Sequence, residues 1–189
     1  MVAENEQAYS GINSSSKKST IFKEIISYIV IILIAAIIAF CFNKYIIMNA
    51  NIPSGSMETT IMTNDKVIGN RLSYCFSEPK RGDIIIFPFP DNPEKTYIKR
   101  IVGMPGDTLE IKNNAVYING TEYFESYLPK APRMDDYPKT VIPDGCYFVL
   151  GDNREDSVDS RFWNNPFVER DTIIAKAIVV YYPRFQLLK

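Results

Sequence analysis

The stretch Leu109-Glu110-Ile111-Lys112-Asn113-Asn114-Ala115-Val116-Tyr117-Ile118 alternates in side-chain character on both sides of an Asn-Asn pair. A period of two is the strand period, because successive side chains point to opposite faces. Asparagine tolerates the left-handed backbone that a two-residue hairpin turn demands. The stretch is therefore expected to be a β-hairpin, and it sets the reading of its neighbours. Short β-type runs recur at residues 66–69, 83–89, 96–102, 146–150 and 173–182. They are separated by turn sequences such as Lys80-Arg81-Gly82-Asp83, Met104-Pro105-Gly106-Asp107, Asn119-Gly120 and Pro143-Asp144-Gly145. Residues 121–142 lack a period and contain three prolines, so an irregular excursion is expected there. With no internal repeat and no linker, residues 44–189 read as one mostly β domain.

Upstream the pattern changes. Residues 25–42 carry no charge and are dominated by Ile and Ala, which is the length of a membrane-spanning helix. A cleavable leader has a shorter apolar core ending in small residues, whereas this run leads into Tyr45-Ile46-Ile47-Met48. A buried soluble helix would show a polar face, and none is present between Ile29 and Phe42. The expected organisation is a disordered cytoplasmic tail over 1–20, a transmembrane anchor over 21–43 and an extracytoplasmic domain over 44–189. Lys17, Lys18 and Lys23 precede the span and Lys44 follows it, and basic residues favour the cytoplasmic side. The chain thus reads as a single-pass protein of the plasma membrane, with the lipid bilayer as a partner. Fourteen residues separate Phe42 from Ser56, a reach of at most about 45 Å, so chemistry at Ser56 would be done close to the bilayer.

Composition removes several function classes. The 21 basic and 22 acidic residues are interspersed and leave a net charge of -1, which gives no footprint for nucleic acid. Three cysteines, Cys41, Cys75 and Cys146, are too few for a disulfide framework or a thiolate metal site. Most informative, the chain has no histidine. That excludes Ser-His-Asp and Cys-His arrangements and most zinc sites at once. A hydrolase built on this chain must draw its base from lysine or carboxylate.

Asn51-Ile52-Pro53-Ser54-Gly55-Ser56-Met57 opens the β domain, and Ser56 is a candidate nucleophile, although Ser, Gly and Pro are also ordinary turn residues. A lysine base must be neutral, and the ordinary lysine pKa near 10.4 leaves well under 1% neutral at pH 7. Burial among apolar groups lowers it. In Tyr97-Ile98-Lys99-Arg100-Ile101-Val102-Gly103, Lys99 shares a face with Tyr97 and Ile101, and Arg100 points the other way. An edge strand with a protective lysine fits this pattern equally. The densest polar run is Gly151-Asp152-Asn153-Arg154-Glu155-Asp156-Ser157-Val158-Asp159-Ser160-Arg161, delivered by Tyr147-Phe148-Val149-Leu150. It is either a functional loop on a scaffold or a solvated turn. Its spacing does not match a calcium loop.

Taken together and in order, the three stretches around Ser56, Lys99 (through Met104-Pro105-Gly106-Asp107) and Gly151 to Arg161 closely resemble the boxes of bacterial type I signal peptidases. These are membrane-bound serine proteases with a Ser/Lys dyad, and the resemblance extends over the anchor and Asn64-Asp65-Lys66-Val67. It implies a short, single-anchor form with a signal-peptidase-like β-rich domain that removes signal peptides from exported preproteins beside the export translocon, without cofactor or metal. It further implies Ser56 as nucleophile, Lys99 as base and Ser54 as a second oxyanion donor. Ser157 would orient the lysine, with Asp152, Asp159, Arg161 and Arg100 as site support. Ile52, Pro53, Ile61 and Ile98 would line small substrate pockets. Two departures stand out. Thr59 replaces the proline of the family's first box, and Asn164-Asn165 follow Trp163 where a glycine is usual. A competing functional class is a membrane-tethered β-rich binding or assembly module with an idle dyad.

Overall fold

In the computed structural model of the chain, the backbone is described for residues 2–128 and 132–188 and side chains from residue 23 onward. The chain divides into two compact units, residues 1–44 and 45–189. The first is the helix α1, Val2–Tyr45. Within it Lys23–Tyr45 has a mean hydropathy of 3.1 and no buried residue, and is the one helix among the described residues long and apolar enough to cross a membrane. Apolar side chains are exposed all round it, from Ile26 at 44% to Tyr28 at 66%, unlike a core helix with one covered stripe. The helix starts at Val2 rather than near residue 21, so the backbone marks no boundary at the end of the expected tail. Residues 2–20 contain no proline, and extending a helix already nucleated costs far less than starting one.

The second unit is built on twelve strands among the described residues: β1 Ile47–Asn51, β2 Lys66–Asn70, β3 Ile84–Phe89, β4 Asn92–Gly103, β5 Thr108–Lys112, β6 Ala115–Ile118, β7 Thr121–Glu122, β8 Tyr137–Val141, β9 Cys146–Leu150, β10 Val168–Glu169, β11 Ala175–Tyr182 and β12 Gln186–Leu187. The larger sheet runs β1-β2-β11-β3-β4-β9-β10, with β12 added on β11. The smaller runs β7-β6-β5-β8. Every described pairing is antiparallel.

The hairpin quoted at the outset forms as expected. Lys112 faces Ala115 across the turn, and Asn113 and Asn114 take φ of 52° and 64°. Strand β3 explains the core. Its Ile84, Ile85, Ile86 and Phe87 are all buried because both faces of the larger sheet are covered. Ile84 and Ile86 pack with Met57, Ile61, Val67 and Ala175, whereas Ile85 and Phe87 pack with Tyr74, Ile101, Tyr147 and Trp163. A third cluster, including Val102, Leu109, Ile111, Ile142 and Phe148, joins the two sheets. Each such large side chain withdraws enough apolar surface to contribute about 1.5–3 kcal/mol.

The stretch 121–142 is more ordered than its sequence suggests, since it contains β7 and β8. Strand β8 buries none of its residues and lies at the edge of the smaller sheet. An edge position tolerates Pro138 within the strand and leaves no apolar alternation to read. Strand β1 leaves no mark of its own in the sequence either, because its five residues, Ile47-Met48-Asn49-Ala50-Asn51, follow the helix directly and show no strict alternation.

Candidate active site

Ser56 lies in an irregular segment between β1 and β2 that is closed at its base. Ile52 N–H donates to Asp65 O at 3.0 Å, and Asn64 N–H to Ile52 O at 2.7 Å. Met57 and Ile61, both fully buried, root the segment in the core. This fixes Ser56 at the protein's surface with its neighbour as the anchor. The loop after β9 grips the same turn from the other side. Asn153 N–H donates to Ser56 O at 3.1 Å, and Asn153 Nδ2 donates to Gly55 O at 3.0 Å. Gly151 allows this approach. A Cβ built on it would overlap the Ser157 hydroxyl and the Ser56 carbonyl oxygen.

Lys99 stands in β4 opposite Ile85 and is 4% exposed. Its Nζ lies 2.6 Å from Ser56 Oγ. Burial lowers its pKa from 10.5 to about 8, against the opposing pull of the Asp159 and Asp152 carboxylates. The two candidates left open by composition are thus in hydrogen-bond contact, and the lysine is the kind that can lose its proton. Ser54 Oγ is 3.5 Å from Ser56 Oγ.

The supporting charges pair off among arginines and carboxylates. Arg100, 1% exposed, donates from Nε and Nη2 to the two oxygens of Asp152 at 2.8 and 2.7 Å, and its guanidinium stacks 4.0 Å from the Tyr127 ring centroid. Arg161 does the same for Asp159 at 2.8 and 2.9 Å, and Asp159 also accepts the Gly151 N–H at 3.0 Å. Ser157 sits at the site, but its buried hydroxyl has no hydrogen-bond partner among the described residues, and its expected bond to Lys99 is not formed. The hydroxyl lies in the space that a Cβ on Gly151 would fill. Of the expected pocket residues, Ile52, Pro53 and Ile98 line a groove of about 590 Å³ that runs past Ser56 and Lys99. Ile61 does not, because it is fully buried beneath the segment with Met57.

Several participants escape sequence reasoning. Arg154, 2% exposed, donates to Gly151 O at 2.8 Å and pairs with Glu125 at 2.5 Å. Its place inside the polar run is a signal, but Glu125 lies in the stretch without periodicity. Thr60 donates to Asp152 Oδ2 at 2.5 Å, beside Thr59, which follows a cis peptide. Asn164 and Asn165 donate backbone N–H groups to Asp91 at 2.8 and 2.9 Å, so the second departure is held by a carboxylate outside all three boxes. Among the described residues no group of three or more histidine, cysteine, aspartate or glutamate side chains could hold a metal ion.

A buried lysine in hydrogen-bond contact with a partly exposed serine, in a chain without histidine, is the arrangement that serine-hydrolase chemistry with an amine base would require. The chain belongs to the signal peptidase family, peptidase S26, whose model matches residues 25–182. It is 38% identical over 154 residues to a probable signal peptidase I-2 of Synechocystis, covering 79% of this chain and 69% of that one. It is 35% identical to the signal peptidase I of Aquifex aeolicus, covering 85% and 84%, and 34% identical to the signal peptidase IB of Staphylococcus aureus, covering 85% and 91%. A crystal structure of a signal peptidase I from Enterococcus faecalis is 34% identical, with a TM-score of 0.47, over 53% of this chain and 97% of that one.

Proposed function

We propose that this protein is a membrane-anchored serine endopeptidase that removes signal peptides from exported preproteins, with Ser56 as nucleophile and Lys99 as general base. The observation that carries the reading is the 2.6 Å contact between Ser56 Oγ and the Nζ of Lys99, a lysine only 4% exposed. With its pKa at about 8, about a tenth of Lys99 is neutral at pH 7, far more than for an ordinary lysine. Neutral Lys99 accepts the Ser56 hydroxyl proton as Oγ attacks the scissile carbonyl. The oxyanion is held by the Ser56 N–H and the Ser54 hydroxyl. Lys99 then protonates the leaving amine, and water, activated by the same lysine, hydrolyses the acyl-enzyme. The Arg100–Asp152 and Arg161–Asp159 pairs hold the two carboxylates near Lys99 in fixed geometry.

The groove supports an extended substrate. Strand β1 pairs only with β2, and β4 meets β9 only from Arg100 onward, so both strands offer free ladder edges beside Ser56 among the described pairings. Main-chain pairing along such an edge gives affinity, and the side-chain pockets give selectivity. Shallow walls made by Ile52, Pro53 and Ile98 suit small residues before the scissile bond, as signal-peptide cleavage sites have. The helix Lys23–Tyr45 anchors the enzyme in the plasma membrane with its N-terminus inside, and the β domain works at the outer face next to the export translocon.

The test is cleavage of a preprotein by the full chain in detergent, with the new N-terminus of the product sequenced. Ser56→Ala and Lys99→Ala should each abolish cleavage while the β fold persists by circular dichroism. Because the neutral amine is the working form, activity should rise with pH through about 8. Retained turnover in either variant, or a flat profile between about pH 6 and 9, would sink the dyad. Covalent labelling of Ser56 by a β-lactam-type acylating probe separates the enzyme from a binding module with an idle dyad.

A further inference from the structure

The segment that carries Ser56 has no regular structure between Ile52 and Asp65, and the contacts with Asn153 hold only its near side. Its far side is held by Arg184, in the turn between β11 and β12 and beyond the residues matched by the family model. Arg184 Nη1 donates to Asp65 Oδ1 at 3.0 Å and Nη2 to Thr60 O at 3.2 Å. Nη2 also lies 2.9 Å from Asp65 Oδ2, and Nε donates to Gln186 at 3.0 Å. Asp65 is 1% exposed, and its Oδ2 accepts the Met62 N–H at 2.8 Å. One guanidinium therefore ties the two ends of the Thr60–Asp65 limb together, in the planar fork that matches a carboxylate plus a carbonyl.

Thr60 connects this clasp to the base. Its carbonyl is held by Arg184, and its hydroxyl donates to Asp152, which is gripped by Arg100, the neighbour of Lys99 in β4. The chain of contacts runs from the C-terminal hairpin through the nucleophile's loop to the strand of the lysine. We propose that Arg184 is a positioning residue that sets the Ser56–Lys99 separation by clamping the Thr60–Asp65 limb against the Asp152–Arg100 pair. It touches neither Ser56 nor Lys99, and a loop slack by about 1 Å costs on the order of 100-fold in rate. The inference rests on the dyad reading.

The experiment is steady-state cleavage of a preprotein by the full chain in detergent, with pH profiles, for Arg184→Met, Arg184→Lys, Thr60→Val and the double variant Arg184→Met/Thr60→Val. Arg184→Met should lower kcat by about 10- to 100-fold with KM little changed. The groups facing Lys99 are Ser56, the Tyr97 ring, and the carboxylates of Asp152 and Asp159. A loosened loop admits water and relieves the burial of the amine, so the alkaline rise of kcat/KM should move to higher pH. Arg184→Lys, which keeps a charge for Asp65 but not the fork to Thr60, should recover only part of kcat. Thr60→Val should reproduce the pH shift, and the double variant should lose less than the product of the two single losses.

Wild-type kcat and pH profile in Arg184→Met, with only a lower melting temperature, would overturn the proposal. If Arg184→Met does not fold, unchanged profiles in Arg184→Lys and Thr60→Val overturn it equally. Ser56→Ala, run in parallel, separates the two claims. Residual cleavage there removes the dyad and the inference together, whereas a dead Ser56→Ala beside an unaffected Arg184→Met removes the inference alone.

Discussion

Lys99 opposes stability and serves chemistry with the same property. Its pKa is 10.5 in the open chain and about 8 when folded, so between those values the unfolded state binds more protons and stability rises with pH. Below about 8 both states are charged and the whole penalty is present, about 3 kcal/mol. Lys99→Met should therefore raise the melting temperature at neutral pH while abolishing cleavage, and the gain should shrink as pH approaches 10.5. A calorimetric series across pH checks it. A second residue-scale expectation concerns Gly151, where a built Cβ would overlap the Ser56 carbonyl oxygen and the Ser157 hydroxyl. Backbone cannot yield as a flexible side chain can, so Gly151→Ala should displace the nucleophile's turn. It should cost about 1–3 kcal/mol of stability and most of the activity, read by thermal melting and preprotein cleavage.

At the scale of elements, legibility follows periodicity. The β5–β6 hairpin, β3 and β9 are readable because one or both faces are buried and the turns between them use residues suited to left-handed backbone. Strands β1, β7, β8, β10 and β12 are not, because they are short or lie at edges, where burial writes no alternation into the sequence. The same division runs through the site. Ser56 and Lys99 can be nominated from chemistry, but their pairing spans 43 positions, and only the joint resemblance of three boxes brings them together. The expected bond from Ser157 to Lys99 is not formed, and Ile61 lies beneath the groove it was expected to line. Residue type and spacing say little about which way a loop side chain turns. The hairpin turn itself is testable. Asn114 has φ of 64° and its Oδ1 accepts the Met134 N–H at 2.9 Å. Asn114→Ala loses that bond together with the polar side chain that lets asparagine tolerate left-handed backbone, and should cost about 1–2 kcal/mol. Asn114→Gly, which loses only the bond, should cost less. Urea denaturation of the two variants measures the difference.

For the whole molecule, the proposed orientation places residues 45–189 outside the cytoplasm. Cys75 is exposed, whereas Cys41 lies in the apolar helix and Cys146 is half-buried. A membrane-impermeant maleimide applied to intact cells should therefore label the protein, and Cys75→Ser should remove most of that labelling. Labelling that requires permeabilised cells would reverse the orientation. The helix is legible from composition alone, since 18 uncharged residues need no partner to be recognised. The layering of two sheets is not, because it depends on which strands meet across long separations.

Four ion pairs around the site are built on arginine: Arg100 with Asp152, Arg161 with Asp159, Arg154 with Glu125, and Arg184 with Asp65. Arginine keeps its charge at every pH a protein survives, and carboxylates ordinarily finish ionising well below neutrality. Lys99, its pKa lowered to about 8 by burial, changes charge in mildly alkaline medium. Structural charge and working charge are thereby assigned to different chemistries, so a rise in pH can switch the amine on without loosening the frame that holds it.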